Sequence, residues 1–340
     1  MKKLRLLPPF ILLAAALTAC LPLSFSLPTP TTVSSATAAF TETLPPTQTS
    51  MPEPTSTPAP TATARPNVAR VLIVSVDGMR PDAIALAPMP VLQSLMQTGA
   101  YSLTAQTIFP STTLPAHTSM LDGMCPSKHG ITWDTYEPDK GYALGTSLFD
   151  LAHASGLRTI MVVGKDKLRQ ITDPASTDVF QYVNDPDTVV AQRAATLIPQ
   201  GFGLFFVHLP SPDLEGHAYG WLSSQQLSAL RHSDDAIQTL LTALDQAGLR
   251  QSTLIIVTAD HGGHDTTHGT WQPEDMTIPW IINGPGVQPK QLASAINTTD
   301  TAATAAWALG LSQPTEWSGH PVLEAFGLND PAERPQPRCP

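Results

Sequence analysis

The chain has 340 residues, a formal net charge of −10 and a pI of about 5.3. This length suits one large α/β domain or two small ones, and the acidic balance argues against a nucleic-acid backbone as a partner. The three cysteines (Cys20, Cys125 and Cys339) are too few for a disulfide scaffold and wrongly spaced for a structural zinc site. Whether Cys125 and Cys339 pair is left open, because a sequence gives no distance.

The first 20 residues have the pattern of an export signal. A basic start with Lys2, Lys3 and Arg5 precedes an apolar run over residues 6–17, which is too short for a membrane span. The run ends in Leu-Thr-Ala-Cys, which resembles a bacterial lipobox and predicts Cys20 as the lipidated first residue of the mature protein. A plain secretory signal is the alternative. We expect an exported protein, anchored by lipid to the cell membrane or outer membrane of a bacterium and facing outside the cytoplasm.

Residues 21–67 hold 10 prolines, 12 threonines and 6 serines, with only three charged residues. Such a segment cannot bury enough apolar surface to fold, so its composition predicts a disordered stalk. The stalk would hold a folded domain at residues 68–328 away from the membrane, with residues 329–340 as a tail.

Apolar strands alternate with helices through residues 68–328. Strands are predicted at residues 71–76, 158–164, 203–209, 253–258 and 278–283. Helices are predicted at residues 90–99, 146–156, 185–197, 223–247 and 299–309, and another begins near Pro115. This alternation predicts an α/β fold with a mainly parallel central sheet and helices on both faces.

Polar side chains follow three of these strands at the point where each strand ends. Asp77 follows the first strand, Asp213 and His217 follow the third, and Asp260 and His261 follow the fourth. Because the carboxyl ends of parallel strands meet at one edge of a sheet, these side chains are expected to converge. Carboxylates beside imidazoles are typical ligands of zinc, and a solvated histidine-rich loop is the alternative interpretation.

A hydroxyl group is expected beside the same edge. Pro115 suits the first turn of a helix, which places Thr113 at or just before the positive N-terminus of that helix. A hydroxyl there can be deprotonated and can hold an anion, although an ordinary N-cap has the same pattern. With the strand-end ligands, Thr113 predicts a two-metal site with a nucleophile between the ions, which suits phosphoryl chemistry.

The motifs together resemble the type I phosphodiesterases/nucleotide pyrophosphatases of the alkaline phosphatase superfamily. The matching pieces lie between residues 68 and 327: Val-Asp-Gly (76–78), Phe-Pro-Ser-Thr-Thr-Leu-Pro-Ala-His (109–117), His-Gly-Ile (129–131), Pro-Asp-Leu-Glu-Gly-His (212–217), Asp-His-Gly (260–262) and Thr-His-Gly (267–269). The resemblance implies an alkaline-phosphatase-like three-layer sandwich and a metal-dependent hydrolase of phosphoric esters.

The resemblance also implies two zinc ions, with other divalent cations as alternatives. One ion would be held by Asp213, His217 and His268, and the other by Asp77, Thr113, Asp260 and His261. Thr113 would be the nucleophile and would pass through a phospho-threonine that water hydrolyses. His264 is the rival of His268 as a ligand, and the Thr-His-Gly context favours His268. Three histidines are expected to pack or to support the ligands: His117, His129 and His208. Asp265 either orients a ligand histidine or is a loop residue.

Two substrate-binding positions, Asp134 and Lys165, bear on the substrate class. Asp134 stands where the family usually has an Asn that donates a hydrogen bond to a phosphoryl oxygen, and an ionised Asp cannot donate. Asp134 is therefore either protonated or turned away from the phosphoryl group, or it indicates altered activity. Lys165 begins a Lys-Asp-Lys segment similar to the Lys-Asp-Arg segment that some monoesterases of the superfamily aim at the phosphate, although Lys lacks the bidentate geometry of Arg.

We expect small phosphodiesters or nucleotide pyrophosphates as substrates, with monoesters or phosphonates as the alternative. A non-catalytic surface protein that keeps the fold is a further alternative. The short segment between His261 and His268 leaves little room for a large cap and predicts an open site.

Overall fold

The computed structural model describes residues 65–329 and Cys339. The predicted signal peptide, the lipidation site at Cys20 and nearly all of the predicted stalk lie outside the described residues, as does most of the tail at residues 329–340. In the part of the chain that is described, no helix has both the length and the apolar character needed to cross a membrane.

Eight strands form one sheet in the described part of the chain. They are β1 (Arg70–Val76), β2 (Ala100–Gln106), β3 (Thr159–Val163), β4 (Val179–Tyr182), β5 (Leu204–Leu209), β6 (Thr253–Thr258), β7 (Thr277–Asn283) and β8 (Lys290–Gln291). Their order across the sheet is β4-β3-β5-β1-β6-β7-β2-β8. Only β7 pairs antiparallel with its neighbours β6 and β2, so the predicted mainly parallel sheet is confirmed.

Helices cover the sheet in two groups. The α-helices are α1 (Ala83–Leu86), α2 (Pro90–Thr98), α3 (Thr113–Asp122), α4 (Pro126–His129), α5 (Leu148–Ala154), α6 (Asp187–Ala195), α7 (Ser211–Tyr219), α8 (Ser224–Gln246), α9 (Pro273–Met276) and α10 (Asp300–Ala308). Helices α2 and α6 pack against α8, whereas α3, α5 and α10 pack against one another. The predicted α/β fold with helices on both faces is confirmed.

The central strands explain where the site forms. Every residue of β5 and β6 is buried, and so is all of β1 after Arg70, as expected for parallel strands covered on both faces. Strand β1 lies between β5 and β6, in a register that sets Val76 beside Leu209 and Ser75 beside Thr258. The chain therefore leaves all three strands at one edge of the sheet.

The structure adds elements that the sequence patterns did not predict. Strands β2 and β4 and the two-residue β8 were not predicted, and neither were the short helices α1, α4 and α9. The segment that holds Asp213 and His217 is the helix α7. These additions leave the order of the predicted elements unchanged.

Cys125 and Cys339 form a disulfide, with 5.3 Å between their Cα atoms. The pairing that the sequence left open therefore occurs in the structure. Cys339 is buried and packs with Ile108 and Ala116, which flank Thr113 along the chain. This part of the predicted tail is thus attached to the domain beside α3.

Candidate active site

Three buried carboxylates meet at the carboxyl edge of the sheet. Asp77 follows β1, Asp260 lies two residues beyond β6, and Asp213 lies in the first turn of α7, just after β5. None of the three is more than 2% exposed. The adjacency of β5, β1 and β6 accounts for their convergence.

Asp213, His217 and His268 form the first candidate ligand group, with their ligand atoms within 4.8 Å of one another. Asp213 and His217 are four residues apart in α7 and so share one face of that helix. Nε2 of His217 and Nε2 of His268 each lie 3.5 Å from Oδ1 of Asp213. The rival histidine, His264, instead lies 2.7 Å from Asp275 through its Nδ1.

The second candidate group surrounds His261. Its Nε2 lies 3.4 Å from Asp77 Oδ1, 3.2 Å from Asp260 Oδ2 and 3.4 Å from Thr113 Oγ1. The structure thus places the other three predicted ligands of the second ion around Nε2 of His261. Ligand atoms of Asp77, His261 and Asp213 also lie within 4.8 Å of one another, so Asp213 belongs to both groups.

Backbone hydrogen bonds determine which nitrogen of each ligand histidine faces the carboxylates. Each Nδ1 lies within 3.0 Å of a carbonyl oxygen: His217 of Thr266, His261 of Gly262, and His268 of Ser111. Because a carbonyl only accepts, Nδ1 carries the hydrogen atom, and in the neutral ring Nε2 presents a lone pair. This is the tautomer that ligates a metal through Nε2.

The carboxylates complete a donor set that fits a divalent cation. Asp77 Oδ1, Asp213 Oδ1 and Asp260 Oδ2 are buried and accept no hydrogen bond from the described residues. Leaving a buried charged oxygen unsatisfied costs about 1–3 kcal/mol or more. These same oxygens face the Nε2 atoms. A cation between them would satisfy both sets of lone pairs, and the mixture of nitrogen and oxygen donors suits zinc.

Lys165 faces the other carboxylate oxygens. Its Nζ lies 2.7 Å from Asp77 Oδ2 and 2.5 Å from Asp213 Oδ2, and it donates to Thr113 Oγ1 at 3.3 Å. Burial lowers the pKa of Lys165, but Asp77 and Asp213 outweigh burial and raise it, so the side chain is charged. The ammonium group therefore lies between the two ligand groups and beside the hydroxyl.

The carboxylates differ in their protonation. Burial raises the pKa of Asp77, but Lys165 and His208 outweigh burial and hold that pKa well below its ordinary value. Burial, together with the charge of Asp77, raises the pKa of Asp260 to about 8. Burial lowers the pKa of His261, but Asp260 and Asp77 outweigh it, so the net pKa is raised. The site thus attracts positive charge.

Thr113 is the first residue of α3 and is 1% exposed. Thr112 before it is extended, and Pro115 occupies the first turn, as predicted. The positive end of the helix dipole therefore adjoins the Thr113 hydroxyl, where it would favour an anion.

Asp134 is hydrogen-bonded beside Thr113. Its Oδ1 accepts from the backbone N–H of Leu114 at 2.7 Å, and its Oδ2 accepts from Nζ of Lys167 at 2.8 Å. The carboxylate thus caps the start of α3 and forms an ion pair with Lys167. Asp134 is thus held by two donors beside Thr113, and its effect on substrate choice stays a prediction.

The three additional histidines have different surroundings. His208 receives a hydrogen bond from the N–H of Gly164 and donates through Nε2 to Asp77 Oδ2 at 2.8 Å. His117 donates through Nδ1 to the carbonyl of Thr113 at 2.8 Å, whereas His129 bonds to Ser119. His208 and His117 therefore support site residues, while His129 packs within the domain.

Two supporting residues were missed in the sequence. Asp275 accepts from the N–H and hydroxyl of Thr270 and pairs with His264, which shapes the loop that carries His268. Trp221 donates its indole N–H to the carbonyl of Gly78 at 2.9 Å. No local pattern marks Trp221, because its partner Gly78 is 143 positions away. Asp275 has partners only 5 and 11 positions away, Thr270 and His264, and was overlooked.

The site is open on one side. The side chain of His217 is 45% exposed. The loop after His261 is tight, because His264 and Thr267 exchange backbone hydrogen bonds of 2.9 Å. This geometry agrees with the prediction that no large cap is built from this segment.

Comparison with solved structures identifies the fold. An inactive variant of murine ectonucleotide pyrophosphatase/phosphodiesterase 5, in complex with AMP, superposes with a TM-score of 0.65 at 15% identity, covering 75% of this chain and 98% of that one. A mutant of the alkaline phosphatase PafA superposes with a TM-score of 0.66 at 13% identity, covering 78% and 100%. The fold is therefore alkaline-phosphatase-like.

Comparison of the sequence with known families identifies the family to which the chain belongs. Residues 71–153 and 157–279 match the family model of type I phosphodiesterase/nucleotide pyrophosphatase. This chain belongs to that family. Human ectonucleotide pyrophosphatase/phosphodiesterase family member 1 is 26% identical over 216 residues, which cover 56% of this chain and 23% of that protein. The chain thus spans about a quarter of the length of this relative.

Proposed function

We propose that this chain is an exported two-zinc hydrolase of phosphoric esters, with Thr113 as its nucleophile and phosphodiesters or nucleotide pyrophosphates as its substrates. The observation that carries the proposal is the position of Thr113 Oγ1, 3.4 Å from Nε2 of His261 and 3.3 Å from Nζ of Lys165, at the N-terminus of α3. Membership of the family supports the reaction class.

Two groups of residues would hold the metals. Asp213, His217 and His268 would hold one zinc ion, and Asp77, Thr113, Asp260 and His261 the other. The unsatisfied carboxylate oxygens and the Nε2 lone pairs support this assignment. When bound, the zinc ions would lower the pKa of the hydroxyl and neutralise charge on the phosphoryl oxygens.

The side chains of this protein would then carry out two displacements. The Thr113 oxygen, its proton lost to solvent, forms a bond to phosphorus, and the leaving oxygen departs with its electron pair and is protonated by water. A water molecule next gives up a proton and forms a bond to the phosphorus of the phospho-threonine. The P–O bond to Thr113 breaks, the Thr113 oxygen keeps the electron pair and takes up a proton, and the phosphate product leaves. The α3 N-terminus and the Lys165 ammonium would stabilise negative charge in both steps.

Monoesters or phosphonates are the second candidate substrates, because Lys165 places a cation beside Thr113. The Asp134–Lys167 pair favours diesters, since the Lys167 charge is offset by a carboxylate and adds little attraction for a second phosphate charge. Membership of the family, together with this offset charge, supports diesters as the first candidate substrates.

The zinc-loaded protein should hydrolyse bis-p-nitrophenyl phosphate with a higher kcat/KM than p-nitrophenyl phosphate. Release of p-nitrophenol measures both reactions. Faster monoester turnover would move the assignment to a phosphomonoesterase. Absence of both activities would favour a non-catalytic binding protein.

The same comparison on Asp134→Asn tests the role of this pair. Asparagine keeps an acceptor for Leu114 but releases Lys167, so the monoester-to-diester ratio of kcat/KM should rise by roughly fivefold, since a partly exposed charge pair is worth up to about 1 kcal/mol. In the double variant Asp134→Asn/Lys167→Met, the ratio should return to the wild-type value. An unchanged ratio in Asp134→Asn would remove Asp134 from substrate selection.

The proposed location rests on residues outside the described part of the chain. Residues 1–20 would direct export, Cys20 would carry the lipid, and residues 21–67 would form the stalk. In a bacterial host, the wild-type protein should sediment with membranes, whereas Cys20→Ser should be released from them. Equal sedimentation of both proteins would refute anchoring through Cys20.

A further inference from the structure

Trp221 lies behind the ligand residues, immediately after the turn that ends α7, and is 8% exposed. Its indole N–H donates to the carbonyl of Gly78 at 2.9 Å, and its backbone N–H donates to the carbonyl of Asp265 at 2.8 Å. Gly78 follows the ligand Asp77, and Asp265 lies in the loop between His261 and His268. Trp221 thus links α7 to the turn at Gly78 and to the loop between His261 and His268.

The indole ring occupies space left by three glycines. A Cβ atom added at Gly263 would lie 2.1 Å from ring atom Cε2, and one added at Gly216 would lie 2.9 Å from the same atom. At Gly78 the closest ring atom would be 3.3 Å away. Gly216 precedes His217, and Gly263 lies two residues after His261. The ring therefore packs on the backbone that carries the ligands.

The ring also contacts two of the candidate ligands. The centroids of Trp221 and His217 are 5.3 Å apart with an interplanar angle of 84°, and those of Trp221 and His268 are 5.8 Å apart with an angle of 68°. Such edge contacts restrict rotation of both imidazoles. Their Nδ1 hydrogen bonds fix the tautomer, and the indole fixes the direction in which Nε2 points.

We propose that Trp221 is a positioning residue of the metal site, which sets the orientation of His217 and His268 and holds the turns at Gly78 and Gly263. This inference rests on the proposed zinc site. Trp221 acts through the ligands, so its removal weakens metal binding in addition to any effect on folding.

Trp317 supplies a matched control. It is 5% exposed, donates its indole N–H to the carbonyl of Thr146 at 2.7 Å, and packs on Gly123. None of these contacts involves a candidate ligand. Trp221→Phe and Trp317→Phe therefore remove the same kind of hydrogen bond from two buried indoles, one at the site and one outside it.

The experiment compares zinc dissociation constants of the full-length variants by competition with a chelator, together with the absorption spectrum of bound Co²⁺. Trp221→Phe should weaken zinc binding by about 10- to 100-fold, the usual effect of losing a group that orients a metal ligand, and should shift the Co²⁺ spectrum. Trp317→Phe should leave both unchanged, although each variant lowers the melting temperature in excess chelator.

Gly216→Ala provides an independent test that retains the indole. Alanine favours a helix, but its Cβ would displace the ring, so zinc binding should weaken in the same direction. Zinc affinity equal to wild type in Trp221→Phe, or an equal loss in Trp317→Phe, would overturn the role of Trp221 while leaving the zinc site in place. A wild-type protein that binds no zinc would overturn both proposals.

Discussion

Thr113→Ala is expected to lower kcat/KM for phosphoric esters by at least about a thousandfold, because removal of a nucleophile leaves only binding and electrostatic stabilisation. Alanine also removes one of the proposed zinc ligands but leaves the carboxylates and histidines in place. Initial rates of p-nitrophenol release measure the loss. Thr113→Ser, which keeps the hydroxyl, should retain measurable turnover.

Covalent trapping separates a nucleophile from a residue that only binds. Acid quenching of the wild-type protein during turnover should give an intact mass increased by the phosphoryl or phosphoryl-ester group. The added mass should map to the peptide that contains Thr113 and should be absent from Thr113→Ala. Turnover by folded Thr113→Ala close to the wild-type rate would exclude the proposed role.

Asp213→Asn is expected to reduce bound zinc below two ions per chain and to abolish most turnover. Oδ1 of Asp213 faces both His217 and His268, and its oxygens also contribute to the group around His261. An amide lacks the negative charge that would attract the cations. Metal analysis after gel filtration and thermal unfolding with and without chelator measure the effect. Chelator should lower the melting temperature of the wild-type protein by several degrees more than that of the variant.

Asp234→Asn is the control for loss of a buried carboxylate. Asp234 is also 2% exposed, but it accepts hydrogen bonds from the backbone N–H groups of Val91 and Leu92, at the start of α2. This variant should lose stability while keeping its zinc content. An Asp213→Asn protein with two zinc ions and unimpaired turnover would contradict the ligand assignment.

The strand-end ligands could be predicted because their placement needs only local patterns and one topological rule. Apolar runs identified β1, β5 and β6, and the carboxyl ends of parallel strands share an edge, so Asp77 and Asp260 were expected to converge. This inference required no knowledge of the strand order. The helix α7, which sets Asp213 and His217 on one face, was not predicted.

Residues whose roles depend on distant partners could not be predicted. The contact of Lys165 with Asp77 and Asp213 requires β3, β5 and β1 to be neighbours, which local periodicity does not reveal. Asp134 was identified as a departure from the family pattern, but its pairing with Lys167 spans 33 positions. Trp221 gave no signal, because its packing depends on Gly216 in α7 and on Gly78 and Gly263, which lie in two other segments.

Strands near the margins of the sheet show the same division. The residues of β2 are partly small and polar, and those of β4 are only partly buried, so neither has a clear hydrophobic pattern. Their positions are determined by pairing with β7 and β3 rather than by their own composition. The sequence therefore predicts the buried centre of the sheet better than its margins.

The disulfide has a consequence for how the chain matures. Cys125 and Cys339 are 214 positions apart, so the cross-link cannot close until synthesis has passed Cys339. Closing so long a loop restricts the unfolded chain and stabilises the fold by roughly 5 kcal/mol on the chain-entropy account. Because thiols stay reduced in the cytosol, the bond would form only in an oxidising compartment. The helix that presents Thr113 would therefore receive its covalent support late, and a chain kept in a reducing compartment would be less resistant to proteolysis than the cross-linked protein.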